Sequence, residues 1–203
     1  MKKSLQIFAV AIVAVAFLTS AATNGYKVGD TVKDFSLKNI DGKMISLNDF
    51  SSAKGAIVIF TCNHCPYAKA YEQRVLALDK MFKSKGYPVI AINPNDPKAV
   101  PDDSFDNMVK NAKDKGFTYP YLMDETQQVA RQFGAARTPH VYVLNKTGNG
   151  YEVAYIGAID DNTEDAGKVQ HKYVEDAVNA LIGGKAVPVS ETKAVGCTIK
   201  WRS

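Results

Sequence analysis

Cysteine is scarce: the chain has three in 203 residues. An odd, small number does not suit a framework of purely structural disulfides, which uses an even and larger set. It fits redox work, or one free thiol. Histidine is equally scarce, with His64, His140 and His171 the three present. A structural zinc site needs four ligands. Beyond Cys62 and Cys65 only Cys197 and those histidines remain, and there is no second Cys-x-x-Cys. Zinc is disfavoured on that ground, and no metal is expected. An excess of one charge is also missing. Twenty-five basic residues stand against 21 acidic ones, for a formal net charge of +4. The signs are interspersed, so nothing points to nucleic acid. No internal repeat and no second domain are visible.

Only one long apolar run stands out at the start of the chain. Leu5 to Leu18 is interrupted by Gln6 alone, with Lys2 and Lys3 before it and Thr19-Ser20-Ala21-Ala22 after it. This is the layout of a secretory signal peptide, and it is short for a membrane span. An uncleaved anchor is the alternative. No cysteine lies near the cleavage site, which excludes lipid attachment there. Residues 1–22 are therefore expected to be removed. The mature protein is expected to be periplasmic or secreted, with no stable membrane association. Residues 23–185 form one domain of ordinary size, and 186–203 a tail carrying Cys197 and Trp201.

What is present is organised around Thr61-Cys62-Asn63-His64-Cys65-Pro66-Tyr67. Ala56 to Thr61 is a continuous apolar, β-branched run, the sign of a strand buried on both faces. Tyr71, Val75, Leu78 and Phe82 then form a stripe at helical spacing, with Lys83, Lys85 and Gly86 closing it. Upstream, Val28 to Asp49 reads as a hairpin turning at Asp41-Gly42. Downstream come a strand, Tyr87 to Asn93, and a loop marked by Pro94, Pro97 and Pro101. A helix, Ser104 to Lys115, and a strand, Thr118 to Met123, follow. Asp124 or Thr126 can cap a short helix ending at Gly134. Val141 to Leu144 and Tyr151 to Ile156 form a second hairpin, and Tyr173 to Ile182 the last helix. Asn145-Lys146-Thr147 reads as turn material and His171 as a surface residue. The order implies a mixed α/β sheet with helices on both faces.

A Cys-x-x-Cys between a strand and a helix can close a small disulfide ring and open it again. Unpaired N–H groups and the positive dipole end at the helix start favour thiolate at Cys62. Cys62 is expected to be the nucleophile, with a depressed pKa, and Cys65 the more shielded resolving thiol. His64 can place positive charge or a hydrogen bond toward the Cys62 sulfur. That would stabilise the reduced form and make the disulfide more oxidising. A permanent structural disulfide is the bland alternative.

Cys62-Asn63-His64-Cys65 together with Thr138-Pro139 before a strand resembles the thioredoxin superfamily. From about Val28 to Ile182 the chain is similar to its redoxin (alkyl hydroperoxide reductase/thiol-specific antioxidant) branch, in the peroxiredoxin-like group with Cys-Asn-His-Cys-Pro-Tyr. The resemblance implies a thioredoxin-like fold with an N-terminal β-hairpin and an insertion before the cis-Pro strand. It implies a cis Thr138-Pro139 bond against the dithiol and a substrate chain pairing with Thr138. It also places His140 nearby, Gly157 on the same face, and Asp160 and Asp161 after it, either rimming the site or in a solvated loop. Two departures matter. Peroxiredoxins use Pro-x-x-x-Thr-x-x-Cys. With Cys65 as the peroxidatic cysteine, Val58 and Cys62 stand where that Pro and Thr belong. Thioredoxins commonly carry an acid in the strand beneath the dithiol, and Ile57 to Thr61 has none.

The expected activity is that of an exported thiol–disulfide oxidoreductase. It would act on protein thiols or disulfides, with a redox partner protein and without a bound cofactor. Two alternatives remain. One is a copper(I) carrier using Cys62, Cys65 and His64 or His140, since thiolates select soft copper. The other is a peroxide-reducing antioxidant. Cys197 stays open between a third redox thiol, a cross-link between chains and a small buried hydrophobe. Trp201 is expected to anchor the tail.

Overall fold

The computed structural model describes residues 25–203; the expected signal peptide lies outside them. The apolar run before the cysteines becomes the central strand, β4 (Gly55–Phe60), with all six residues buried. The other strands, in chain order, are β1 (Thr31–Val32), β2 (Ser36–Asn39), β3 (Met44–Ser46), β5 (Val89–Asn93), β6 (Tyr121–Met123), β7 (Arg137–Thr138), β8 (His140–Thr147), β9 (Gly150–Gly157) and β10 (Cys197–Thr198). Strand β4 pairs parallel with β5 and antiparallel with β8. The eight-stranded sheet has the order β1-β9-β8-β4-β5-β6-β2-β3, and β10 with β7 forms a separate two-stranded ribbon.

Four α-helices cover the sheet: α1 (Pro66–Phe82), α2 (Phe105–Lys115), α3 (Gln128–Phe133) and α4 (Tyr173–Ile182). Successive strand residues point to opposite faces, so two cores result. Ile57 and Ile59 of β4 pack with Tyr71, Val75, Leu78 and Phe82 of α1, with Met108 of α2 and with Val174 and Val178 of α4. Ala56, Val58 and Phe60 face Phe133 of α3, together with Phe35, Leu47 and Ile199. Phe133 is the hub there, with Tyr26, Phe60 and Tyr142 edge-on at 5.0–5.3 Å. Helices on both faces of a mixed sheet agree with the expected thioredoxin-like architecture.

One segment differs from the sequence reading. Val28 to Asp49 is not a single hairpin. Strands β2 and β3 do pair around the Asp41-Gly42 turn, where Gly42 has φ 84°. Strand β1 instead crosses to the opposite edge and pairs with β9. It is two residues long with one buried side chain, Val32, too short for an alternating pattern to register. The strand expected over 118–123 also shrinks to Tyr121–Met123, because Pro120 has no N–H for a ladder.

The tail is laid along the domain. Thr192 N–H donates to the Ile156 carbonyl at 2.9 Å and Lys200 N–H to Asn95 Oδ1 at 2.8 Å. Ile199 is buried in the second core, and the Arg131 guanidinium lies 4.3 Å above the Trp201 ring. Among the described residues no helix is long and apolar enough to cross a membrane.

Candidate active site

The dithiol sits between the end of β4 and the start of α1. Helix α1 begins at Pro66, whose missing N–H costs nothing at a first helical position, and Cys65 is its N-cap. Cys62 therefore lies ahead of the helix. Both cysteines are buried, Cys62 at 4% exposure and Cys65 at 0%, so Cys62 is the more accessible of the two. Thr138 faces them both. Its hydroxyl lies 3.2 Å from Cys62 Sγ and its carbonyl oxygen 3.2 Å from Cys65 Sγ. The Thr138–Pro139 bond is cis.

The disulfide is not the one the motif suggests. Cys65 is bonded to Cys197, 132 residues away, and Cys62 is a free thiol. The expectation of a Cys62–Cys65 ring is corrected in this state of the molecule, and Cys197 takes the place of Cys62 as partner of Cys65. Sequence cannot assign pairing among three cysteines, and only the path of the tail brings Cys197 here. All three form one cluster with Ala68.

The depressed pKa expected at Cys62 is also corrected. Its thiol is pushed up to about 11, first by burial and then by the negative charge of Asp103. The Thr138 hydroxyl and the backbone N–H groups of Cys65 and His64 pull the other way. The dipolar help read from the helix start is present, but desolvation outweighs it.

Asp103 is the functional candidate that sequence reasoning missed. It is fully buried and comes from the loop before α2, not from the strand under the dithiol. Oδ1 accepts N–H bonds from Asn63 at 2.7 Å and His64 at 3.2 Å. Oδ2 lies 2.6 Å from His64 Nδ1 and accepts from Asn95 Nδ2 at 2.7 Å. Asn93 donates to its backbone carbonyl. One carboxylate thus holds both residues between the cysteines. The sequence signal, Pro101-Asp102-Asp103-Ser104, looks like any acidic helix start. The His64 ring engages Asp103 through Nδ1, which leaves Nε2 as its other proton-carrying position. Cys62, His64 and Asp103 each offer a ligand atom within 4.8 Å of the others. Both carboxylate oxygens are already engaged in hydrogen bonds.

The remaining sequence candidates are placed as follows. His140 opens β8, where Nδ1 accepts the Ala136 N–H at 3.4 Å and the ring lies 4.9 Å from that of Tyr142. Burial pushes its pKa down to about 4, which agrees with a neutral ring whose Nδ1 is an acceptor. Asp160 is buried, not solvated, and its partners are on α1. It accepts from Tyr71 at 2.8 Å and pairs with Arg74 at 2.7 Å. Asp161 is exposed and caps Gln170 N–H. Gly157 packs against Thr192 of the tail, where a Cβ would strike the threonine.

The family model for AhpC/TSA matches residues 28–152. The chain belongs to the AhpC/TSA family. An uncharacterized conserved protein from Geobacillus kaustophilus superposes with a TM-score of 0.81 and 35% identity, covering 88% of this chain and 94% of that one. The thiol-disulfide oxidoreductase ResA of Geobacillus thermodenitrificans (strain NG80-2) is 26% identical over 121 residues, 60% of this chain and 65% of that protein. The match thus spans less than two thirds of that relative's length. A thiol:disulfide interchange protein DsbE from Chlorobium tepidum, at 18% identity and TM-score 0.54 over 64% of this chain and 84% of that one, shares the fold. The fold of this AhpC/TSA-family member is thioredoxin-like.

Proposed function

We propose that this AhpC/TSA-family protein is an exported thiol–disulfide oxidoreductase that exchanges disulfides with protein partners through Cys62 and Cys65. The observation that carries the reading is the cluster at Thr138, where a free thiol, Cys62, lies beside a formed disulfide, Cys65–Cys197. A disulfide next to a thiol in one pocket is the reactant pair of exchange. The ResA relative supports the same class.

Each residue has a role in that reading. In the fully reduced form, with Cys65 free, the Cys62 thiolate attacks a partner disulfide; in the Cys62–Cys65 ring form a partner thiolate attacks Cys62. Cys65 resolves the mixed disulfide, and the bond between Cys62 and the partner breaks. Asp103 positions His64 and the intervening backbone. His64 passes the proton at its ring nitrogens. Thr138 aligns both sulfurs through its hydroxyl and carbonyl. No bound cofactor enters the cycle. Peroxide chemistry is disfavoured, because Val58 and Cys62 stand where its supporting proline and threonine belong.

The test pairs two assays. With dithiothreitol supplied, the protein is expected to accelerate reduction of a model protein disulfide and to leave hydrogen peroxide at its uncatalysed rate of loss. Peroxide consumption without protein-disulfide reduction would overturn the reading.

A further inference from the structure

The tail strand β10 lies along the site. Among the described residues, strand β7 has a single strand partner, β10, with Cys197 directly opposite Thr138 in antiparallel register. Thr138 is the residue whose hydroxyl and carbonyl meet the two motif sulfurs. This edge lies beside the two sulfurs, and adding a strand to an edge is a general way to hold a peptide. The tail does so in cis. It delivers Cys197 to Cys65. Gly196 precedes that cysteine, and a Cβ there would fall on the Thr138 carbonyl. The Arg137 guanidinium donates to the Gly196 carbonyl at 3.3 Å. Ile199, two residues after the cysteine, fills the second core, and its N–H donates to the Ala136 carbonyl at 3.2 Å.

We propose that the Gly196–Ile199 strand occupies the substrate position, and that the partner is an extended segment of the form glycine–cysteine–x–apolar which displaces it. This rests on the exchange activity proposed above. The opening step is isoelectronic. Cys62 loses its proton, and its thiolate attacks Cys65 Sγ. The Cys62–Cys65 bond forms as the Cys65–Cys197 bond breaks, and Cys197 leaves as a thiolate that takes up a proton. Nothing is oxidised or reduced overall. The tail is then held by hydrogen bonds and packing alone, and a partner strand can replace it against Thr138. The arrangement keeps the dithiol covered until a matching chain arrives.

The test uses the full-length protein in oxidised form and a synthetic peptide with the sequence of residues 194–200, which carries no tryptophan, in its thiol state. Cys197→Ser, which can form only the Cys62–Cys65 disulfide, is expected to react with the peptide at least about tenfold faster than wild type. Gly196→Val keeps all three cysteines but cannot seat the strand, and should be similarly fast; it serves if Cys197→Ser folds poorly. A second peptide with valine in place of the glycine should react with Cys197→Ser at least about tenfold more slowly than the first. Equal rates for wild type and both variants, or equal rates for the two peptides, overturn the proposal. If no form of the protein exchanges with either peptide or with a model protein disulfide, the exchange activity falls and the proposal with it. Trp201, the single tryptophan, gives an independent readout. Its emission should shift when the peptide joins reduced wild type, and binding without a shift contradicts displacement of the tail.

Discussion

Replacing Cys65 by serine, in a chain that also carries Cys197→Ser, is expected to stop turnover and leave the protein attached to its substrate. Cys62 is the more accessible thiol of the pair, and Cys65 is fully buried one step further in, at the N-cap of α1. In exchange the attacking sulfur forms a mixed disulfide, and a second thiol must then break it. With Cys65 gone and Cys197 unable to substitute, no thiol remains within the chain to do so. With prereduced protein freed of external thiol, a covalent adduct between Cys62 and the model substrate should accumulate toward one per chain. The turnover rate should fall at least about a hundredfold. Mass spectrometry of the acid-quenched reaction, with peptide mapping of the adduct, reads both. Unchanged turnover with no adduct at Cys62 would contradict the division of roles.

Alkylation of Cys62 is expected to be slow at neutral pH and to accelerate steeply with alkali. In the form holding the Cys65–Cys197 bond, Cys62 is the only free thiol. Its pKa is pushed up to about 11 by burial and, after that, by Asp103. The thiolate is the nucleophile. Well below the pKa its fraction rises tenfold for each pH unit, so the rate with iodoacetamide should rise about tenfold per unit between pH 7 and 9. Asp103→Asn removes the second cause and leaves the first. The rate at pH 7 should then increase severalfold, and the curve should bend at a lower pH. A rate constant flat from pH 7 to 9 would show a thiol already ionised, as the helix-start argument alone had suggested.

That contrast shows what was legible in the sequence. The redox motif, its strand and helix, and the Thr138-Pro139 partner were readable because each carries a local pattern. A buried apolar run, a helical stripe and a proline are properties of neighbours in the chain. Asp103 was not readable as a site residue. An acid two residues after a proline is common at helix starts, and only folding brings it under His64 from 39 residues away. The Cys65–Cys197 bond was hidden for the same reason on a larger scale. Cys197 could be suspected of redox work, but its pairing depends on the anchors that Asn95, Gln127 and Arg131 give the tail. For Asp160 the sequence offers either the rim of the site or a solvated loop, whereas Tyr71 and Arg74 on α1 hold it buried. Strand β1 escaped because two residues are too few for a period to show.

The energetic logic is consistent across these features. A buried carboxylate is tolerated when its oxygens are saturated with donors, and Asp103 has four donor groups around it. Holding the thiol beside it uncharged lowers the thiolate fraction of Cys62 at neutral pH.

The most direct test of the central claim is the initial rate of model protein-disulfide reduction, measured with dithiothreitol as the electron source, for wild type and Cys62→Ser side by side. The account predicts catalysis by wild type and a loss of at least about a hundredfold in Cys62→Ser, with the Cys65–Cys197 bond still present in the oxidised variant. Equal rates for the two proteins would contradict it.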